Sequence, residues 1–496
     1  MATSEIPSTP HVAPAISEQA RSPVALNAFH LLLGQIASTA LSIALSAALG
    51  RTLGPTDFGI YFLVFTMSTF AYVVVDWGQS ALLIREAARR PEAVSTLLGS
   101  SLVFRTGAAI LAVLLIALCA RAIGYPPRIQ ALAALMVGCA LPLALSQPYG
   151  YLFRGRDRMD LDATVTVTGK AIAVAATLVL LALGGRLGWV IVAQGLGGAG
   201  ALALAVALGR RVGLRPGRPD RATLQLLGHE GSALAVFLVA IAVQPYLDVV
   251  ILSRLSPAPV VGWYGAARNI IGVLIAPATI LAAASFPQLS RAASNVGAFR
   301  DVLRSSLRPL LGLGALGAVG CFLFADLAVA LVYSRGKFGP ASSVLQLYAP
   351  GLLIFYLDMT LATAATAAGK TRPLAAAKLL SVVASSGLAL VFIPLCQARY
   401  GNGGLGVVAA FTVSEVVMLV ACIAVLPRGA LAIGELLDLG RAFVAGLGTW
   451  LLFQLLPTLN FWLGIPVCIL VYTTLALTVG LLSWADLGRL IRRGRR

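Results

Sequence analysis

The chain has 496 residues, of which 59% are hydrophobic and only 11% charged, and its formal charge is +18. A water-soluble protein carries about 25% charged residues, so a soluble globule is excluded. A basic balance invites a nucleic-acid reading, but the positions of the basic residues argue against nucleic acid as a partner.

Residues 1–25 are polar and Pro-rich, with Glu5 and Glu18, and lack the basic start and apolar centre of a signal peptide. A disordered cytoplasmic tail is expected there. Apolar runs of roughly 20 residues, enough to cross a hydrocarbon core of about 30 Å as helices, follow near 26–49, 60–80, 96–120, 129–152, 161–183 and 189–209. The basic stretch 210–231 separates these from runs near 232–253, 262–285, 308–333, 344–366, 375–397 and 405–426. Two more, 442–458 and 462–484, lie within a last region, 427–496, that ends in a basic tail. The pattern predicts an all-α polytopic membrane protein with about 14 transmembrane helices. They would form a six-helix lobe over 26–209, a basic cytoplasmic linker over 210–231, a second six-helix lobe over 232–426, and two extra helices.

Most of the 37 Lys and Arg residues fall in alternate connecting segments, including Arg85, Arg89 and Arg90, Arg154 to Arg158, and the 210–221 linker. Short loops retained in the cytoplasm are enriched in this way, so both termini are predicted cytoplasmic. The excess charge faces anionic membrane lipids. The six cysteines stand singly in apolar runs, and His11, His30 and His229 are scattered. No disulfide, metal site or bound cofactor is expected.

The chain repeats itself. Arg51, Gly59 and Tyr61 recur at one constant offset as Arg254, Gly262 and Tyr264, each set leaving one apolar span and entering the next. Gly155-Arg156-Asp157-Arg158 is echoed by Gly369-Lys370-Thr371-Arg372 after the fourth span of the second half. Two matches in the same order predict two pseudo-symmetric six-helix bundles. An even number of spans gives both copies one orientation.

The pattern R-x-LGP-x-x-FG-x-Y at 51–61, V-x-G-x-Y-x-x-A-R-N at 260–269, FPxLSR at 286–291 and GKF at 336–338 resembles the polysaccharide-exporting branch of the multidrug/oligosaccharidyl-lipid/polysaccharide exporter superfamily. Within it, the chain is most similar to O-antigen and exopolysaccharide repeat-unit flippases. The resemblance implies two lobes around a central cavity that opens alternately to each side of a bacterial inner membrane. The implied cargo is a polyprenyl-diphosphate-linked oligosaccharide moved from the cytoplasmic to the outer leaflet. A polysaccharide polymerase and chain-length proteins are the implied partners.

A charge held at mid-bilayer costs about 2.5–3.5 kcal/mol on insertion scales, so ionisable residues inside spans mark either sites or internal pairs. Arg268, about 9 Å into its span and followed by Asn269, is the leading candidate to hold a diphosphate. Its guanidinium offers a donor fork matched to phosphate oxygens, and the resemblance places an Arg there on the cavity wall. Pairing with Asp248 is the alternative. Arg105 is a second substrate candidate, with Asp76 as its alternative partner. Arg51 and Arg254 belong at the outer rim, where they cap helix carbonyls and can touch a departing head-group. Asp358, Glu415 and Asp248 are the candidate carboxylates for H+ or Na+ coupling, since no ATP-binding feature is present.

Gly195 to Gly200 fits GxGxxG, but no strand precedes it, and close helix packing explains it better. Asp160-Leu161-Asp162 resembles the acidic pair of sugar-nucleotide transferases but stands alone. Two other functions fit the general pattern. A multidrug or organic-cation antiporter would want acidic cavity walls, whereas Arg105 and Arg268 favour an anion. A membrane glycosyltransferase, polymerase or ligase would want a sizeable outer loop, and those here are short. A non-enzymatic flippase is the expectation.

Overall fold

The computed structural model describes residues 21–333, 335–431, 433–455 and 461–482. The predicted N-terminal tail up to residue 20 and the basic tail from 483 lie outside them. The described residues form sixteen α-helices, a short 3-10 turn at 91–93, and no strand. In chain order these are α1 (Arg21–Asp76), α2 (Gln79–Arg89), α3 (Val94–Ala122), α4 (Pro127–Cys139), α5 (Leu141–Gly155), α6 (Met159–Ala182), α7 (Leu187–Arg211) and α8 (Arg221–Leu255). They continue with α9 (Ala258–Ala292), α10 (Val296–Val332), α11 (Arg335–Phe338), α12 (Pro340–Ala367), α13 (Thr371–Tyr400), α14 (Gly403–Val425), α15 (Ile433–Leu455) and α16 (Phe461–Thr478).

By length and composition, ten helices among the described residues suffice to cross a membrane, the first of them running through two predicted spans. Every predicted span is helical through its middle except the fourth, 129–152, which breaks at Ala140. The chain is an all-α polytopic membrane protein.

Three local features depart from the sequence reading. The turn expected after the first span shrinks to one residue inside α1: Gly54, at φ 72° and ψ 176°, breaks the helix just before Pro55. Proline disfavours the α region for its predecessor, and glycine alone takes that positive φ without cost. The fourth span is two helices, α4 and α5, meeting at Ala140, because Pro142 offers no N–H to the preceding turn. The stretch expected as linker to 231 is helical from Arg221, where the Asp220 carboxylate caps α8 by accepting from Thr223 N at 3.1 Å. The remainder of the linker is docked: Gly217 N donates to Ser95 O at 2.7 Å and Asp220 N to Ser100 Oγ at 3.1 Å.

Helices α1 to α7 pack mainly on one another, as do α8 to α14, and contact between the two groups runs chiefly through α1 against α8 and α9. At the α1–α9 crossing the repeated glycines face each other. A Cβ on Gly59 would strike the Ala258 carbonyl, and one on Gly262 would strike the Pro55 carbonyl. Pro55 and Ala258 are themselves equivalent by the repeat offset, so the contact is reciprocal. Phe62 then fills the space beside Gly265, its own equivalent. Gly262→Leu should therefore force the two backbones apart at a cost of about 3 kcal/mol. A loss of thermal stability in detergent would register it, and an unchanged midpoint would contradict the close crossing.

The last two helices, α15 and α16, lie on α10 and on each other. Where α10 meets α15, Asp438 is 1% exposed and accepts from Arg304, Arg308 and Arg441.

Candidate functional site

The polar residues of the second helix group collect in one buried cluster. α9 supplies Arg268 and Tyr264, α8 supplies Gln244 and Asp248, α12 supplies Tyr348 and Asp358, α13 supplies Lys378, and α14 supplies Ser414 and Glu415. Arg268 is partly buried and lies against Tyr348, Tyr264 and Asp248. Tyr348 in turn donates to Tyr264 Oη at 3.2 Å. Arg268 nevertheless forms no ion pair within 4.0 Å among the described residues. Asp248, the alternative partner read from the sequence, is 3% exposed and has one carboxylate oxygen without a hydrogen bond.

Lys378 Nζ donates to Gln244 Oε1 at 2.9 Å and stands 3.8 Å from Glu415 Oε1. Gln244 Nε2 passes the chain on to Ser414 Oγ at 3.2 Å. The carboxyl groups of Asp358 and Glu415 are within hydrogen-bonding reach of each other, and Glu415 Oε2 has no partner. Three carboxyl groups thus face two cations. Two ionised carboxylates in contact repel, and a shared proton or a cation relieves the pair. Among the described residues, no group of three or more His, Cys, Asp or Glu is arranged to hold a metal ion. Of its charged members the sequence had singled out Arg268, Asp248, Asp358 and Glu415 as candidates. It missed Gln244, Tyr264, Tyr348 and Ser414, whose signal is a polar atom in an apolar span.

Asn269, one residue on from Arg268, turns elsewhere. Its Nδ2 donates to Ser46 Oγ at 2.8 Å and to Tyr333 Oη at 3.4 Å, while Ser46 and Tyr333 are 2.6 Å apart. This trio edges an apolar cavity of about 490 Å³ between α1, α9, α10, α12 and α16, walled by Leu274, Leu316, Phe324 and Ile469.

Arg105 is 1% exposed, and its donors are spent on protein groups. It pairs with Asp76, donates to Ala144 O at 3.0 Å, Gln79 Oε1 at 3.3 Å and Gln147 Oε1 at 3.4 Å, and stacks 5.5 Å from the Tyr151 ring centre. None of these partners belongs to the Arg268 cluster. Asp160 and Asp162 are likewise engaged, by Arg158 at 2.9 Å and Arg154 at 2.6 Å.

Arg51 and Arg254 each cap the end of a helix in the opposite group. Arg51 Nε donates to Val332 O at 3.1 Å and Tyr333 O at 3.0 Å, and its Nη2 reaches Leu331 O, at the C-terminus of α10. Arg254 Nη1 donates to Gly124 O at 3.3 Å, just past α3, and lies 5.3 Å over the Tyr125 ring. The sequence anticipated capping; only the structure assigns the caps crosswise. With Arg128–Asp57 at 3.0 Å and Trp263 Nε1–Lys337 O at 3.0 Å, these contacts latch one end of the bundle. Replacing both Arg51 and Arg254 with alanine should loosen that end. In a background lacking the native cysteines, Val261→Cys should then react with an impermeant thiol reagent several-fold faster; unchanged labelling would show that the caps do not hold the end shut.

Over residues 24–293 the chain matches the family described as polysaccharide biosynthesis protein. No match is found among curated proteins. A lipid II flippase, MurJ, in an inward closed conformation has a similar structure, with a TM-score of 0.72 and 13% identity over 92% of this chain and 99% of that one. A multidrug resistance MATE family transporter of the MOP superfamily is similar in its inward-facing conformation, with a TM-score of 0.63 and 16% identity over 82% of this chain and 95% of that one. An outward-facing conformation of such a transporter gives 0.54 and 16%, over 85% and 96%. The chain shares the fold of these flippase and transporter structures.

Proposed function

The chain belongs to the polysaccharide biosynthesis protein family, and from that premise we propose that it flips a polyprenyl-diphosphate-linked oligosaccharide across a bacterial inner membrane. In this reading the Arg-rich end, with the docked linker and both termini, faces the cytoplasm. The latched end faces outward, and a polymerase and chain-length proteins receive the product there. The observation that carries the reading is Arg268: a guanidinium inside an apolar helix, ringed by phenols and short of an ion pair. Such a group favours an anionic ligand. The adjoining apolar cavity suits a prenyl chain that stays out of water. The fold is shared with inward- and outward-facing transporters, which supports alternating access between the two helix groups.

The Lys378–Glu415–Asp358–Asp248 network supports coupling to a proton, because its carboxyl groups outnumber its cations. A proton taken up by the Asp358–Glu415 pair would remove the repulsion between them and free Lys378 to shift, changing the packing of α12, α13 and α14. The same surplus of carboxylate would suit a bound organic cation, and the two readings separate in one assay. Vesicles containing the purified protein should move a fluorescent polyprenyl-diphosphate oligosaccharide between leaflets and leave organic cations such as ethidium outside. Uptake of the cation without lipid movement would reverse the assignment. Reporter fusions after residues 88 and 215 should show cytoplasmic location and those after 125 and 336 an external one; the opposite pattern would invert the direction of transport.

A further inference from the structure

The basic group at the α10–α15 seam does more than join two helices. On α10, Arg300, Arg304 and Arg308 recur every fourth residue and so share a face. Arg441 of α15 joins them around Asp438. Arg304 Nε donates to Asp438 Oδ2 at 3.3 Å, Arg308 Nε at 2.7 Å, and Arg441 Nη1 donates to Oδ1 at 2.8 Å. Asp438 is 1% exposed, yet the three guanidiniums remain 41%, 28% and 38% exposed. The carboxylate therefore anchors all three from below, and Arg304 and Arg441 keep donors on top. The Nη groups of Arg304, and Nε and Nη2 of Arg441, meet no acceptor among the described residues. Three cations outnumber Asp438 and its neighbour Glu435, so the group stays positive.

About 7.5 Å further along α10, Leu313 begins the apolar cavity, which follows the same helix through Leu316, Gly317, Gly320 and Phe324 to Val332. Cations at one end and an apolar track above them form an amphiphilic slot. From Leu313 to Val332 the track rises about 28 Å, close to the full hydrocarbon thickness of about 30 Å. An acyl chain of an ordinary phospholipid spans only half of that thickness; a polyprenyl chain can follow the whole track.

We propose that Arg304, Arg308 and Arg441 form a docking station for the diphosphate of the lipid-linked substrate, which it occupies before Arg268 takes over. The station rests on the flippase reading. Guanidinium forks held in fixed orientation suit the oxygens of a diphosphate, and Asp438 fixes that orientation without neutralising all three.

The test is the substrate dependence of flipping in phosphatidylcholine vesicles, using a fluorescent polyprenyl-diphosphate oligosaccharide. Arg304→Gln and Arg441→Gln should each raise the half-saturating substrate concentration about fivefold to tenfold, the loss of roughly one charge-assisted hydrogen bond. The maximal rate should be unchanged. Asp438→Asn, which keeps the shape and one acceptor oxygen but removes the competing charge, should lower the half-saturating concentration, a change that a purely structural clamp would not produce. Unaltered half-saturation in correctly folded Arg304→Gln and Arg441→Gln would overturn the station. So would a wild-type half-saturation that rises steeply with added phosphatidylglycerol but not in the variants, because the site would then belong to ordinary anionic lipid. Absence of any flipping by the wild type would instead sink the flippase reading itself.

Discussion

Arg268→Ala should lower the maximal rate of lipid-linked oligosaccharide flipping by about 100-fold or more while leaving the protein monodisperse in detergent. Two charge-assisted hydrogen bonds to a phosphate, each contributing about 1.5–3 kcal/mol, account for a factor of that size. Folding should survive because Arg268 contributes no ion pair within 4.0 Å to the described structure. Arg268→Lys keeps the charge but loses the planar fork and should fall between the two. The comparison with Arg105 sharpens the case. Arg105 is saturated by Asp76, Gln79, Gln147 and the Ala144 carbonyl, so Arg105→Ala should appear first as lost stability. Removing one member of a buried pair strands the other, at about 3–5 kcal/mol. Full-rate flipping by Arg268→Ala would take Arg268 out of the substrate site.

Glu415→Gln should abolish the response of transport to an imposed proton gradient. Glutamine preserves shape and offers an amide donor toward Asp358, but it cannot exchange a proton, and it removes the anion 3.8 Å from Lys378. Flipping driven by a gradient, measured in vesicles with acidic and neutral compartments, should fall to the rate seen without one, about tenfold or more below the wild type if one shared proton governs the equilibrium between the two states. Asp358→Asn should behave the same way. Lys378→Met should be worse for folding, because it leaves Glu415 and Asp358 buried without their nearest cation. A Glu415→Gln variant that still answers to the gradient would place the coupling ion elsewhere.

Much of the fold was legible in the chain, because membranes impose few and strict rules. A backbone inside hydrocarbon must satisfy its own hydrogen bonds, so each apolar run of sufficient length had to be helix. The repeat marked Gly59 and Gly262 as equivalent positions, and only the structure placed them face to face at the α1–α9 crossing. Residues 221–231 escaped because polar sequence carries no hydropathy signal, and only the Asp220 cap marks where α8 begins. The break at Gly54 was read as a loop because Gly-Pro signals a turn, whereas here it costs a single residue.

The site was legible in part, for a related reason. Ionisable residues in an apolar run declare themselves, so Arg268, Asp248, Asp358 and Glu415 stood out one by one. Which of them meet is a matter of helix rotation and crossing, and hydropathy carries neither. Arg105 and Arg268 look alike in sequence, each a lone cation with an acid within reach. Packing decided that Arg105 is spent on Asp76 while Arg268 is not. It likewise turned Asn269 toward Ser46 and Tyr333, because consecutive residues on a helix project about 100° apart. The sequence by itself determined that this is a helical membrane protein built from a repeated unit, with basic connectors and a handful of buried charges. The tertiary structure alone decided the crosswise caps of Arg51 and Arg254, the surplus carboxylate in the cluster and the arginine station beside the apolar track. Each is a contact between helices far apart in the chain, set by side-chain geometry in three dimensions that no local pattern encodes.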